Sequence, residues 1–444
     1  MGFDFTHDVD RAIRRTRIGE PVRSGRLLRM VGLTLEAKGI QAPIGAHCIV
    51  EGAEGIRVEA EVVGFNDKTT FLMPFSASTG IAPGAIVRVV SMTPKARLGV
   101  ELLGRVIDAR GHPLDGRPLP ECNDELSLQG LELNPLERGP IDQVLDVGVR
   151  SINAILTMGR GQRVGLIAGS GVGKSVLLGM LTRYTKVDVV VIGLIGERGR
   201  EVNEFIKESL GAEGLARSVV VAAPANVPPV LRLRAAHLSH LIAEYFRDQG
   251  LNVLLIIDSL TRVAHAQREI GLAVGEPPTS KGYPPSVFAL LPNLIERAGV
   301  GRNGVGSITA IYTVLMENDD RSDPIVDIAR ASLDGQVMLS RDLADAAHYP
   351  AIDLTGSISR VMQSIVPADR LQAANRLRRL WSVYQQNRDL IQAGAYQMGA
   401  NSELDEAISR RGDMEEFLRQ GMHVGVDYET SIAELLTVLP VNTN

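Results

Sequence analysis

Residues 168–175, AGSGVGKS, constrain the fold more than any other stretch of this chain. An apolar run, Val164-Gly165-Leu166-Ile167, precedes them, and Val176-Leu177-Leu178-Gly179-Met180-Leu181 can continue from them as a helix. Strand, glycine loop and helix in that order make a phosphate cradle. Glycines let backbone N–H groups close around phosphate oxygens with no Cβ in the way. The helix N-terminus adds partial positive charge. The pattern therefore marks Gly169, Ser170, Gly171, Val172, Gly173, Lys174, Ser175 and Val176 as phosphate contacts. Lys174 would reach the β- and γ-phosphates, and the Ser175 hydroxyl would meet Mg²⁺. The first position of the pattern is Ala168 rather than Gly.

At 444 residues the chain is long enough for two or three domains. Its 45% apolar and 22% charged residues are ordinary for a globular protein, and a net charge of -5 offers no global basic field for nucleic acid. The two cysteines, Cys48 and Cys122, fit no metal or redox motif, and their scarcity suits a reducing cytoplasm. No apolar run approaches the roughly 18–20 residues of a membrane span, and the N-terminus has no apolar core of the secretory kind.

Four regions are expected. Residues 1–20 carry helically spaced Phe5, Val9, Ala12 and Ile13 beside Arg11, Arg14, Arg15 and Arg17. They read as an amphipathic helix for a partner or an anionic surface, or else as a solvated terminus. Residues 21–94 hold short β-rich runs, such as 27–35, 47–50, 56–63, 70–74 and 86–90, between glycines, which suggests a small barrel. Pro94 with Lys95-Ala96-Arg97 reads as a linker. Residues 95–350 alternate apolar strands (163–167, 187–195, 218–223, 253–257 and 307–314) with helical patterns at 201–209 and 231–249. Near-continuous Val, Ile and Leu is the mark of a parallel sheet covered on both faces. Residues 351–444 read as helical, with helices expected over 370–393, 402–411, 413–421 and 428–438.

Asp258 ends the run Leu254-Leu255-Ile256-Ile257 and is the carboxylate expected to hold Mg²⁺ beside a phosphate loop. Position 259 is Ser, so no Glu directly follows it to activate water. Glu197, after the strand at 187–195, lies where ligands bind an α/β sheet and could orient water for in-line attack. It could equally belong to a solvated, charge-rich loop. Arg262 could reach transferred phosphate or form a surface ion pair, and Arg360 has no partner legible from the chain. The Gly- and Pro-dense segment 275–285 is a loop, either a contact element or a rigid connector. Arg376, Arg378, Arg379 and Arg388 with Trp381 and Tyr384 form a basic face that reads best as solvated.

Several of these motifs occur together. They are GRGQR (159–163), AGSGVGKS, LIGERGREV (194–202), DSLTR (258–262), GEPPTSKGYPPSVFALLPNLIERAG (275–299) and HYPAID (348–353). The combination resembles the rotary-type ATPases, and within them the bacterial type III secretion ATPases of the flagellar export branch. The resemblance implies an N-terminal β-barrel, a RecA-like P-loop ATPase core of α/β class and a C-terminal helical domain. It implies a homohexamer that takes ATP with Mg²⁺ at subunit interfaces. Lys174 matches the phosphate-binding lysine, Ser175 the metal ligand and Glu197 the catalytic glutamate. Arg198 and Glu201 match its neighbours near phosphate and metal. Asp258 matches the magnesium-site Asp, Arg262 a phosphate-contacting arginine and Tyr349 the aromatic on adenine. Arg360 matches a finger donated to the next subunit.

The resemblance also implies partners. A regulatory stalk protein would bind the N-terminal helix. A central stalk protein, the export gate, substrates and chaperones would meet the C-terminal domain, with the protein cytoplasmic and peripheral at the membrane. The expected activity is ATP hydrolysis in flagellar protein export. Rival readings are an injectisome ATPase with the same chemistry, an RNA-driven translocase and a non-catalytic nucleotide-binding subunit. An RNA-binding barrel should be basic and aromatic, yet residues 24–93 hold only Phe65, Phe71 and Phe75 as aromatics. Glu197 argues against the non-catalytic subunit.

Overall fold

A computed structural model describes residues 24–130, 133–316, 320 and 322–440. The partner helix expected over residues 1–20 lies outside them. The chain divides into two compact units between Pro94 and Lys95.

The first unit is a closed barrel. Its strands are β1 (Ser24–Val31), β2 (Thr34–Lys38), β3 (His47–Glu51), β4 (Arg57–Phe65), β5 (Thr70–Pro74) and β6 (Ile86–Ser91), in the order β1-β2-β5-β4-β3-β6. Period-two alternation builds it: Val58, Ala60 and Val62 of β4 are buried, the last two in one cluster with Leu27, Leu35, Val50, Leu72 and Val87. The single run expected over 27–35 is instead a hairpin. Gly32 turns it at φ +55, and Val31 pairs with Thr34. Apolar patterning runs through a two-residue turn unchanged, so only the glycine could have signalled it.

In the second unit the expected linker is a strand, Lys95–Leu98, paired antiparallel with Asp124–Ser127. Its partner comes from a distant stretch, which local composition cannot show. The main sheet contains β7 (Arg105–Ile107), β8 (Arg163–Ala168), β9 (Val189–Ile195), β10 (Ser218–Ala223), β11 (Asn252–Asp258), β12 (Ser307–Leu315), β13 (Gly335–Leu339) and β14 (Ile352–Ser359). Their order is β14-β13-β8-β12-β11-β9-β10-β7. All neighbours are parallel except β13 and β14. Every residue of β9 is buried, as a strand covered on both faces requires. The sheet runs to Ser359, past the expected limit at 350, because β14 finds its partner in β13.

Helices α1 (Lys174–Tyr184), α2 (Pro229–Asp248), α3 (Leu260–Val274), α4 (Pro285–Glu296) and α5 (Pro324–Ser332) connect these strands. The helix expected over 201–209 is α-helical only at Gly199–Glu204 and continues as a π-helix at Phe205–Leu210. The C-terminal helices are α6 (Ala368–Gln386), α7 (Ser402–Ser409), α8 (Arg411–Leu418) and α9 (Tyr428–Val438). A single helix over 370–393 does not form. The Asn387 side chain bonds the Val383 carbonyl at 2.8 Å, a local competitor to the helix ladder, and a separate short helix, Arg388–Gln392, follows. Among the described residues, no helix is long and apolar enough to cross a membrane.

The C-terminal helical region is tied by polar bonds to a short helix, Arg150–Ile155, that precedes β8. The Arg150 N–H donates to Gln420 Oε1 at 2.7 Å, and Asn153 Nδ2 donates to the Val426 carbonyl at 3.1 Å. A second buried link is bidentate. Arg297, just after α4, donates to both carboxylate oxygens of Glu244 on α2, at 2.7 and 2.8 Å, and to the Leu128 carbonyl at 2.9 Å. Removing one partner strands the other charge out of water. Glu244→Ala should therefore cost about 3–5 kcal/mol of stability, read as a lower urea midpoint. An unchanged midpoint would show that the pair is dispensable.

Candidate active site

Parallel pairing brings three distant strand ends to one edge. β8 delivers the glycine loop after Ala168, β11 ends at Asp258 and β9 leads into Gly196 and Glu197. Leu194 stands opposite Asp258 in the register. All are at C-terminal strand ends, where open α/β sheets bind ligands.

In the loop, Gly171 and Gly173 take φ of +77 and +90. A Cβ on Gly171 would meet nothing, so its backbone conformation, not crowding, calls for glycine. Gly173 caps α1 with no side chain on the cap. The first-turn N–H groups of Lys174, Ser175 and Val176 are thus left to bind an anion. Ser175 and Val176 are exposed, and Val172 is buried under the loop.

Lys174 Nζ lies 2.5 Å from Asp258 Oδ1 and 3.6 Å from Glu197 Oε1. Asp258 Oδ1 also accepts from the Thr313 hydroxyl at 2.6 Å, so β12 fixes the carboxylate from its other side. Burial works against the Lys174 charge, but the two carboxylates outweigh it and hold its pKa above the ordinary value. Glu197 is placed by the turn at Gly196, where φ is +72 and a Cβ would fall 2.7 Å from Arg262 Cβ. Its Oε1 is buried without a hydrogen bond. Burial pushes the Glu197 carboxyl up to about 7 against the pull of Lys174, and the Asp258 and Glu201 charges push the same way. A hydrogen bond from Glu197 holds the Glu201 carboxyl below the usual range.

Arg262 is set in the first turn of α3, where Ser259 Oγ accepts from its backbone N–H at 3.3 Å. Its side chain packs over Gly196, and its Nε is buried without a hydrogen bond. Arg198 is exposed and only 3.8 Å from Glu201. A cleft of ≈ 760 Å³ opens over the loop, Lys174, Glu197, Glu201 and Arg262. Thr261, His265, Met316 and Arg341 also line it, and sequence patterns did not single them out. His265 follows Arg262 by one helical turn, a spacing that could have found it. Met316 and Arg341 follow other strand ends and carry no local signal.

Two further expected residues lie outside the cleft lining. Tyr349 is exposed at the loop's base, where a Cβ on Gly173 would come within 3.3 Å of its ring. Arg360 follows β14 and reaches the Arg330 carbonyl at the end of α5, at 3.0 Å. Ser359, the residue before it, pairs with Gly335, which pairs with Val164 at the entry of β8, and the Arg360 N–H donates to the Asp334 carbonyl. The glycine loop leaves the exit of that strand, roughly 15 Å further on at about 3.3 Å per residue. One chain does not bring Arg360 to its own loop.

A triphosphate with Mg²⁺ fits these donors. The first turn of α1 has no side-chain cap, Glu197 Oε1 and Arg262 Nε are buried without hydrogen bonds, and the Ser175 side chain is exposed at the loop. Among the described residues no cluster of three or more His, Cys, Asp or Glu would hold a metal by itself. A cation here would share phosphate oxygens.

Residues 148–359 match the nucleotide-binding domain of the ATP synthase alpha/beta family, 28–90 its beta-barrel domain, and 366–437 the T3SS EscN ATPase C-terminal domain. A flagellum-specific ATP synthase of Pseudomonas aeruginosa is 57% identical over 95% of this chain and 94% of its own. The chain belongs to the flagellar and type III secretion branch of the ATP synthase alpha/beta family. A family member from Salmonella typhimurium, also a flagellum-specific ATP synthase, is 55% identical over 94% of each chain. A type 3 secretion system ATPase of Xanthomonas euvesicatoria is 47% identical over 97% of this chain and 96% of its own. The assembled ATPase EscN from the type III secretion system of enteropathogenic E. coli superposes with a TM-score of 0.88 at 43% identity, covering 93% of this chain and 99% of that one. The β-barrel, the nucleotide-binding α/β domain and the helical C-terminal region are the architecture of this family, and the protein is an ATPase.

Proposed function

We propose that this ATPase hydrolyses ATP, with Mg²⁺, to support flagellar protein export. The observation that carries the chemistry is the trio at the strand ends: Lys174 held between Asp258 and Glu197, with one Glu197 oxygen buried and unbonded. The loop 169–176 and Lys174 bind and orient the phosphates. Ser175 and Asp258 hold Mg²⁺, with Glu201 nearby, and the ion neutralises phosphate charge when bound. Glu197 orients a water and takes its proton. Arg262 and Arg198 face the phosphates, and Tyr349 packs on the base. Arg360 completes the site of a neighbouring copy, which makes the working form a homohexameric ring. The flagellar machine is favoured by the flagellum-specific names of the relatives at 55–57% identity. A stalk partner is suggested by the relative solved with its central stalk EscO. A peripheral place at the inner membrane, and a regulatory stalk protein on residues 1–20, complete the reading.

Chelating divalent cations with EDTA should abolish phosphate release, and Mg²⁺ should restore it. Release that persists in EDTA would refute the metal's role. The gene should also restore swimming to a bacterium lacking its flagellar export ATPase. Rescue of an injectisome mutant alone would decide for the virulence machine. Mass measured with a non-hydrolysable ATP analogue should be that of a ring, and a monomer would exclude shared sites.

A further inference from the structure

The GRGQR motif, residues 159–163, ends on the first residue of β8, and none of its residues lines the cleft. Its side chains go elsewhere. Gln162 is completely buried. Its Oε1 accepts from the Gly159 N–H at 2.9 Å. Its Nε2 donates to the Asp334 carbonyl at 3.1 Å and to Ser359 Oγ at 3.2 Å. Ser359 Oγ in turn donates to the Thr157 carbonyl at 2.7 Å. Arg163 grips the same place. Its backbone N–H and Nε donate to Asp334 Oδ2 at 3.0 and 3.1 Å, and the Asp334 N–H donates back to the Arg163 carbonyl at 2.9 Å. Glu296 braces the Arg163 guanidinium at 2.6 Å.

Asp334 and Ser359 are the two residues from which Arg360 hangs. Ser359 precedes it in the chain, and the Asp334 carbonyl accepts the Arg360 N–H at 2.9 Å. The fit at this point is close. A Cβ on Gly335, next to Asp334, would fall 3.1 Å from Gln162 Nε2. The exposed Arg360 guanidinium donates from its end to the Arg330 carbonyl at 3.0 Å.

We propose that Gln162 and Arg163 are positioning residues for Arg360: the GRGQR motif anchors the backbone of a finger that works in the neighbouring copy's site. The inference rests on the reading of Arg360 as that finger. Arg360 follows an edge strand and has a long, flexible side chain whose ordering costs entropy. A finger displaced by an ångström can lose about 10²-fold in rate. Two buried donors from Gln162, with the Arg163–Asp334 bonds, remove that slack at the backbone. The motif therefore serves a different nucleotide from the one bound by the loop five residues later in the same chain. Each β8 thus carries an anchor for the next site at its entry and the phosphate loop of its own site at its exit.

The test is a double-mutant cycle on the full-length chain, assembled with ATP and Mg²⁺, with radiolabelled phosphate release as readout. Gln162→Met keeps the side chain's bulk and removes the amide. It should lower kcat by about 10–10²-fold and leave KM for ATP within about twofold, because the loop lies at the other end of the strand. In an Arg360→Ala background, Gln162→Met should cause no further loss. Equal multiplicative losses in both backgrounds, or a raised KM with kcat unchanged, would overturn the anchor. Should Gln162→Met fail to fold, Ser359→Ala removes one of the two acceptors more mildly, and the same non-additivity is required of it. An Arg360→Ala ring with undiminished kcat would overturn the finger reading itself. A large Arg360→Ala loss that Gln162→Met still multiplies would overturn the anchor alone.

Discussion

Glu197→Gln should leave ATP binding intact and cut turnover by about 10²–10⁴-fold, the usual worth of a positioned general base. The amide keeps the shape and can still hydrogen-bond a water, but it cannot take the proton. Lys174 should still bind phosphate, because Asp258 at 2.5 Å is its nearer partner. Fluorescent-nucleotide titration and phosphate release separate the two quantities. Preserved turnover would remove Glu197 from its role. The same residue predicts a pH profile. Burial pushes its carboxyl up to about 7, and a carboxylate proposed as the base would be active only when ionised. In the wild type, kcat/KM should therefore fall as pH drops through about 7, well above the range of an ordinary glutamate. The Glu197→Gln variant should lose that acidic limb. Stability runs the other way. A folded-state pKa raised above 4.5 means that the native protein holds the extra proton. This stabilising contribution is fully present below about pH 4.5 and is lost as pH rises through about 7. The sheet accepts a carboxylate that is less stable in the form that works.

Arg360→Ala should depress hydrolysis by roughly 10³–10⁵-fold in assembled rings, the range for arginine fingers in other nucleotidases. ATP binding should change little, since Arg360 stands at the β8 entry, away from its own loop. The decisive form of the experiment mixes two dead proteins. A Lys174→Ala copy has lost its phosphate clamp but still offers Arg360. An Arg360→Ala copy has lost the finger but keeps Lys174 and Glu197. In a random equal mixture, about a quarter of the interfaces in a ring of identical contacts pair the two intact halves. Mixed rings should regain activity that neither parent has. Absence of rescue, with ring formation verified by mass, would count against a finger acting in trans.

The parts of the site that lie along one stretch of chain are legible in the sequence. The glycine loop at 169–173 with Lys174 and Ser175 is local: strand, turn and helix start follow one another, and each step has its own residue signature. Asp258 was legible because an apolar run ends on it. The missing Glu at 259 could be noticed because the position is fixed relative to Asp258. Two other members of the cleft were not. Met316 and Arg341 come from separate strand ends, and nothing in their neighbours says that parallel pairing puts them beside the loop. The strand Lys95–Leu98 read as a linker because its partner, Asp124–Ser127, enters only through pairing.

By itself the sequence determined the fold class, the phosphate-binding loop and the identity of the carboxylates, because each depends on spacing within a few residues. Only the tertiary structure decided their state and their allegiance. Burial between β9, β11 and α1 raises the Glu197 pKa, since a charge is costly where water is excluded and Lys174 offsets only part of that cost. The direction of β8 separates Arg360 from the loop of its own chain, because a strand is extended and its two ends cannot meet. On the proposed reading, the glycine loop holds one half of a site, and Gln162 and Arg163, at the other end of β8, brace the residue that completes the next one.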